Sequence, residues 1–282
     1  MVSFLTMSGV STDDTLPVLA NYDESIGEDP RLIGWWNFEL SRTSVASGQA
    51  SAVIQRAPLG TPNLRLVQTI TAKQPQYVSA HAAFGNRPAI YFDQVASVDT
   101  LVCESSIIPV DPSNALPGGV GGVPVATAEW TKVIIGMANL QTATSWMCGG
   151  SPQSNGLHQM TAGISGGNST LGSRVGTSGA QAAASTLFPA DTPFIGICAW
   201  EGDTGTVSIS VNGGTWATNT NSSAVCMDPT FALIYPSGSG TPVKLTAADV
   251  LLFRVSLHRP VHADMLGLVK QYGRDTSKLT VA

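Results

Sequence analysis

Two acids stand two residues apart in the run Glu201-Gly202-Asp203-Thr204-Gly205. Alternate residues of an extended strand share a face. Retaining glycoside hydrolysis uses two carboxylates held about 5 Å apart, one as acid and one as nucleophile. Here the third acid of an E-x-D-x-x-E pattern is missing and two glycines flank Asp203, so the pair reads as solvated acids in a turn. His81, His158, His258 and His262 have no patterned acidic partner, and there is no Gly-x-Ser-x-Gly elbow. His258 and His262 are four apart, but Pro260 lies between them and no H-E-x-x-H frame exists. Asp93, Asp99 and Asp111 fall in loops without the spacing of a calcium loop. No catalytic residue, metal or cofactor is assigned.

Aromatic rings are the remaining candidates, because sugars stack their apolar faces on exposed rings. Of six tryptophans, Trp35 and Trp200 lie in apolar runs and are expected in the core. Trp146, with His158 in the polar stretch that follows it, and Trp216, just past a hairpin tip, are the expected glycan or partner contacts.

These residues need a scaffold. At 282 residues with 43% hydrophobic content, the chain can build a sizeable core. Charged residues make up only 12%, so the surface is polar but weakly charged. A net charge of −5 with scattered Lys and Arg excludes a phosphate-binding surface, and hence a nucleic-acid partner. The N-terminus has no positive region before its short apolar stretch, and the long uncharged segment 133–173 is rich in Gly, Ser, Asn, Gln and Thr. A signal peptide and membrane insertion are therefore not expected. Four widely spaced cysteines form no CxxC pair and are expected as free thiols.

Residues 1–30 hold six acids and no apolar period, which predicts a flexible acidic arm ahead of one β domain over 31–282. Strand-like runs recur at Leu64–Ile70, Ala89–Phe92, Thr131–Met137, Phe194–Trp200, Thr206–Val211, Thr230–Tyr235 and Val250–Leu257. In VSISVNGGTW (207–216), Val207, Ile209 and Val211 alternate with serines, and Asn212-Gly213 predicts a type I′ turn. In DVLLFRVSL (249–257), the alternation predicts one buried and one partly wet face. Met265, Leu268, Val269 and Tyr272 form a helical stripe after Pro260, with Gly273 as the expected stop. The Ala-rich 178–187 segment is read as a possible helical turn, and 116–129 as a loop.

The order of RLIGWWNFE, QPQYV, AFGNRPAIYFDQ, DTLV, WTKVIIGMANL, PFIGICAWEGDTGTVSISVNGG and DVLLFRVSLHRPVHADMLGLVKQYG resembles concanavalin A-like jelly rolls of the laminin-G-like type over residues 31 to 273. The resemblance implies an all-β, two-sheet antiparallel jelly-roll sandwich with a short C-terminal helix. Such folds usually act outside cells, and no secretion signal is seen. The expectation is therefore a non-enzymatic virion structural or decoration protein of a bacteriophage, made in the host cytoplasm. It would be anchored by its N-terminal arm, contact other virion proteins and form a homo-oligomer. The alternative is a glycan-binding adhesin or lectin-like module that recognises a cell-surface glycan. A glycan hydrolase is the least favoured class.

Overall fold

A computed structural model describes residues 21–56, 64–93, 99–104, 129–139, 145–150, 158–165, 167–177, 180–224, 226, 231–234 and 243–282. Asp111 and nearly all of the 116–129 loop lie outside these residues. The first strands are β1 (Leu32–Trp36), β2 (Thr43–Ala46), β3 (Gln49–Ile54), β4 (Arg65–Val67), β5 (Gln76–His81), β6 (Arg87–Phe92) and β7 (Leu101–Cys103). The middle of the chain forms β8 (Glu129–Ala138), β9 (Ser145–Gly150), β10 (Gln159–Ser165), β11 (Asn168–Thr177) and β12 (Ala180–Leu187). The last strands are β13 (Phe194–Glu201), β14 (Thr206–Val211), β15 (Ala217–Thr220), β16 (Phe231–Leu233) and β17 (Leu245–Phe253), and helix α1 (Ala263–Ser277) follows.

All pairings among these strands are antiparallel. One ladder runs β1-β17-β8-β13-β14-β15. A second runs β2-β3-β4-β7-β16-β9-β10-β11-β12. Strands β5 and β6 join them, since β6 pairs with β17, β5 with β6, and β5 with β3 at Gln49 and Gln76. At the opposite end β12 approaches β15, where the Asn221 amide donates to the Gln181 carbonyl at 3.1 Å. The network is thus nearly barrel-like, and a jelly-roll sandwich is consistent with it. The short runs at 87–92 and 101–103 go to different ladders.

One core lies between the ladders and contains Trp36, Phe92, Ile134, Met160, Leu171, Trp200, Ile209, Phe231 and Leu252. A second core forms on the other face of the first ladder. There Trp35, Val133, Ile135, Ile195, Ile197, Leu251 and Phe253 meet Met265, Val269 and Tyr272 of α1. Every residue of β13 and β17 is therefore buried, so β17 has no wet face. The near-continuous apolar run in β13 and β17 is the composition expected of strands covered on both sides.

The helix stripe forms as the sequence predicts, but α1 continues through Gly273 for another turn. It ends where Lys278 takes the left-handed conformation (φ 56°) and its N–H bonds the Gly273 carbonyl. Gly273 is buried beside Ile195 and Ile135, in the body of the helix rather than at its stop. The Ala-rich segment is strand β12 rather than helix: eight residues pair in register with β11, and that ladder outweighs alanine's helical preference.

Residues 21–30 of the expected arm are packed on the helix side. Ile26 is fully buried, the Tyr22 ring meets Tyr272 edge-on at 5.2 Å, and Asp23 pairs with Arg56 at 2.6 Å. Residues 1–20 lie outside the described residues.

At the hairpin, Asn212 (φ 50°) and Gly213 (φ 69°) both take positive φ, and the Gly214 N–H bonds the Val211 carbonyl at 2.9 Å. A Cβ on Gly213 would stand 2.5 Å from the Ala282 carbonyl oxygen. Gly213→Val is therefore expected to destabilise the chain by at least about 2 kcal/mol, from left-handed strain plus displacement of the C-terminus. A thermal midpoint within error of the parent protein would contradict the turn assignment.

Candidate functional site

Glu129 opens β8 and Glu201 closes β13, and the two are direct cross-strand partners. Side chains directly opposite each other on antiparallel strands share a face, so both carboxylates leave the first ladder on its helix side. Next to Glu201, residues 202–205 turn the chain into β14 and project Asp203 outward. Gly205 (φ 71°) makes this turn possible, since a Cβ there would run into the Asn221 backbone.

The loop after β17 is strapped over these acids. The Ser256 N–H donates to Glu129 Oε2 at 3.0 Å, and the Ser256 hydroxyl donates to Glu201 Oε1 at 3.0 Å. Thr131 Oγ1 donates to the Val255 carbonyl at 2.7 Å and accepts from the Leu257 N–H at 2.8 Å. Arg259 then reaches all three acids, at 2.5 Å from Glu129, 3.7 Å from Glu201 and in hydrogen-bond contact with Asp203. Partial burial disfavours the Arg259 charge, but the three carboxylates outweigh it and push its pKa above the ordinary guanidinium value.

Glu201 is thus 7% exposed, bonded at Oε1 by Ser256 with Arg259 3.7 Å from Oε2, not solvated in a turn as the sequence suggests. The physical reason is remote: its partners lie 55 and more residues further along the chain, in a loop with no motif.

His258 and Trp216 form the rim. His258 Nδ1 lies 2.8 Å from Glu201 Oε1, which orients that N–H toward the carboxylate. The His258 ring meets Trp216 edge-on, with centroids 5.1 Å apart. Trp216 is half-buried, with part of the indole packed on the helix-side core. Two rungs along from Glu201 and Thr206, Ser208 pairs with Ala199 and shares the face of the acids. Ser208 is 1% exposed, and its hydroxyl has no hydrogen-bond partner among the described residues. The site therefore combines an aromatic rim, an oriented imidazole, carboxylate acceptors and a buried hydroxyl.

The other expected contacts lie elsewhere. Trp146 is half-buried in β9, opposite Thr161 of β10. His158 is fully buried, so it faces no surface ligand as placed. Its Nε2 lies 3.1 Å from both Ser173 Oγ and Cys198 Sγ, and its carbonyl accepts from Lys132 Nζ at 2.7 Å. The polar run before it suggests a loop, but β9 and β10 draw the imidazole inward. The four cysteines are buried. His262 precedes α1 beside Arg31, while His258 lies in the strap, so the two do not share a helical face. Asp99 accepts from the Asp93 N–H at 2.8 Å, and burial raises its pKa to about 6.

Burial, reinforced by Lys132, pushes the His158 pKa well below the ordinary imidazole value. The folded state then resists a proton that the unfolded chain accepts near pH 6.5. The corresponding stability is full above that pH and is lost on acidification, by up to about 1.4 kcal/mol per pH unit. His158→Gln should flatten this part of a stability–pH curve measured by urea unfolding between pH 7.5 and 5. An unchanged slope would place the imidazole in water.

No family model matches the chain, and no curated protein matches it in sequence. Solved structures do match in shape. The binding domain of botulinum neurotoxin serotype D/C superposes with a TM-score of 0.53 at 7% identity, over 86% of this chain and 53% of that one. A structure of botulinum neurotoxin type C, whose cell entry depends on interaction with two ganglioside molecules, gives 0.52 at 9%, over 90% and 54%. A Trypanosoma rangeli sialidase bound to a difluorinated KDN gives 0.51 at 14%, over 88% and 34%. This chain therefore spans about half the length of the toxin domains and a third of the sialidase. The comparisons give no support to a bacteriophage origin. At these identities the likeness establishes fold: the chain has the β architecture found in these toxin binding domains and in the sialidase.

Proposed function

We propose that this chain is a non-enzymatic glycan-binding module with a jelly-roll sandwich fold, and that it contacts sugar at Trp216 and His258. One observation carries the reading: a half-exposed indole stands beside an oriented imidazole and carboxylates, on a fold that solved glycan- and ganglioside-binding domains also use. An indole offers an apolar face to the C–H face of a pyranose, while carboxylates and an imidazole accept or donate to its hydroxyls. Engagement of both glutamates by the strap supports binding over cleavage. This reading displaces virion decoration, which rests on composition and leader arguments alone. Display on a particle remains a separate proposal about where such a module works.

The test is a glycan array probed with the purified chain. Saturable binding to a defined set of glycans, lost in Trp216→Leu, is the expected result. Absence of binding to every glycan, or binding indifferent to Trp216→Leu, would overturn the proposal.

A further inference from the structure

The outer face of β9, β10 and β11 gathers a second group of binding side chains, independent of the Trp216 reading. Met160 and Ala162 of β10 and Leu171 and Val175 of β11 face the core between the ladders. Strand alternation therefore puts Gln159, Thr161, Gly172 and Arg174 on the outside. Trp146 of β9 is the direct partner of Thr161, and Thr161 of Gly172, while Gln159 is paired with Arg174. A Cβ on Gly172 would stand 2.6 Å from Thr161 Oγ1, so this position keeps the floor low. Gln159 and Thr161 are 4% and 7% exposed. The half-buried Trp146 and Arg174 flank them on a diagonal, with Cα atoms about 12 Å apart by strand spacing.

Arg174 is the one charged residue in β9 to β12, and its guanidinium has no hydrogen bond or ion pair among the described residues. Gln159 Oε1 is buried and accepts no hydrogen bond among them either. A buried acceptor left without a donor is costly, and a ligand hydroxyl or N–H would supply one. We infer that this face binds a sugar that carries a carboxylate, a sialic acid or a uronate. The sugar ring lies against the Trp146 indole, and the Arg174 fork takes the carboxylate in a bidentate pair. Gln159 Oε1 and the Thr161 hydroxyl accept from the ring substituents. With no acid on these four strands, nothing beside Arg174 on the ladder competes for its charge.

The experiment uses the full chain carrying Trp216→Leu, which leaves this face intact, against matched sialylated, uronate-bearing, sulfated and neutral oligosaccharides. Sialylated or uronate-bearing forms are expected to bind at least about tenfold more tightly than their neutral counterparts, and Arg174→Met should remove that difference. Arg174→Met keeps the aliphatic stem and loses no partner, so its thermal midpoint should match the parent's. Arg174→Lys keeps the charge without the fork and should restore only part of the preference. The Trp146 side-chain N–H resonance should shift with the acidic sugars and stay in place with glycans whose binding needs Trp216. Acidic forms bound no better than neutral ones, or a preference that survives Arg174→Met, would overturn the inference. Sulfated forms bound as tightly as carboxylate forms would overturn the assignment to a carboxylate. Loss of all glycan binding in Trp216→Leu would overturn this inference while supporting the Trp216 site. Acidic-glycan binding that needs Arg174, with no glycan lost in Trp216→Leu, would support this inference and overturn the Trp216 reading alone.

Discussion

Asp249→Ala is expected to destabilise the protein by about 3–5 kcal/mol, the range measured when one partner of a buried ion pair is removed. Asp249 has no exposed surface and lies in β17 under the helix. It accepts from Trp35 Nε1 at 3.2 Å, from the Tyr272 hydroxyl at 2.8 Å and from both Arg87 Nη atoms at 2.5 and 3.2 Å. Arg87 also donates to Ser277 and to the Tyr272 hydroxyl, at 2.8 Å each. With Arg87, this one carboxylate therefore joins β1, β6, β17 and the last two turns of α1 at Tyr272 and Ser277. Although burial disfavours the Arg87 charge, Asp249 and Tyr272 hold the guanidinium pKa above its ordinary value. Removing the acid strands that cation and leaves two buried donors to find new partners. Asp249→Asn keeps the shape but not the charge, and should fall between the parent and alanine. Urea unfolding followed by near-ultraviolet circular dichroism measures the loss. A decrease under about 1 kcal/mol in Asp249→Ala would show that apolar packing alone holds the helix on the sheet.

Trp216→Ala is expected to weaken glycan binding about 30-fold or more, since truncating a central aromatic anchor costs about 2 kcal/mol or more. The indole is half-buried, so some stability is lost as well, from its packing on the helix-side core. Trp216→Leu retains part of that packing without the flat π face, which separates folding from recognition. Binding that falls in alanine but recovers in leucine would contradict stacking of sugar on the ring, and with it the proposed contact. Isothermal titration with the best-bound glycan gives the affinities, and thermal melts of each variant give the folding control.

Legibility in the sequence followed the range of the interactions involved. The turn at Asn212-Gly213 was readable because two adjacent residues determine it, and both take positive φ. The apolar stripe Met265, Val269 and Tyr272 was readable from helical spacing, and these residues are buried. Gly273 as a stop was misleading, because α1 runs on to Ser277 and Lys278 takes the left-handed conformation instead. Likewise, β12 looks helical in isolation and becomes strand only through its register with β11. The wet face expected on 249–257 is lost within β17 because Val250 and Leu252 face the core between the ladders while α1 covers Leu251 and Phe253, and Arg254, past the strand, is exposed. At the site, Trp216 was legible as a ring near a hairpin tip. The strap that gathers Glu129, Glu201, Asp203, His258 and Arg259 was not, since it unites residues from three distant segments. His158 shows the converse error, where a polar neighbourhood in sequence conceals a position in the interior.

The claim that sugar is held at Trp216 is tested most directly by the six tryptophan side-chain N–H resonances in a nitrogen-15 spectrum, assigned by single substitutions. On titration with a glycan selected from the array, the Trp216 resonance is expected to shift and saturate with the binding isotherm. Trp35 and Trp200, buried in the two cores, should stay in place. A saturating shift at Trp146 with Trp216 unmoved, or no shift at any indole while binding is observed, would contradict the assignment of this site.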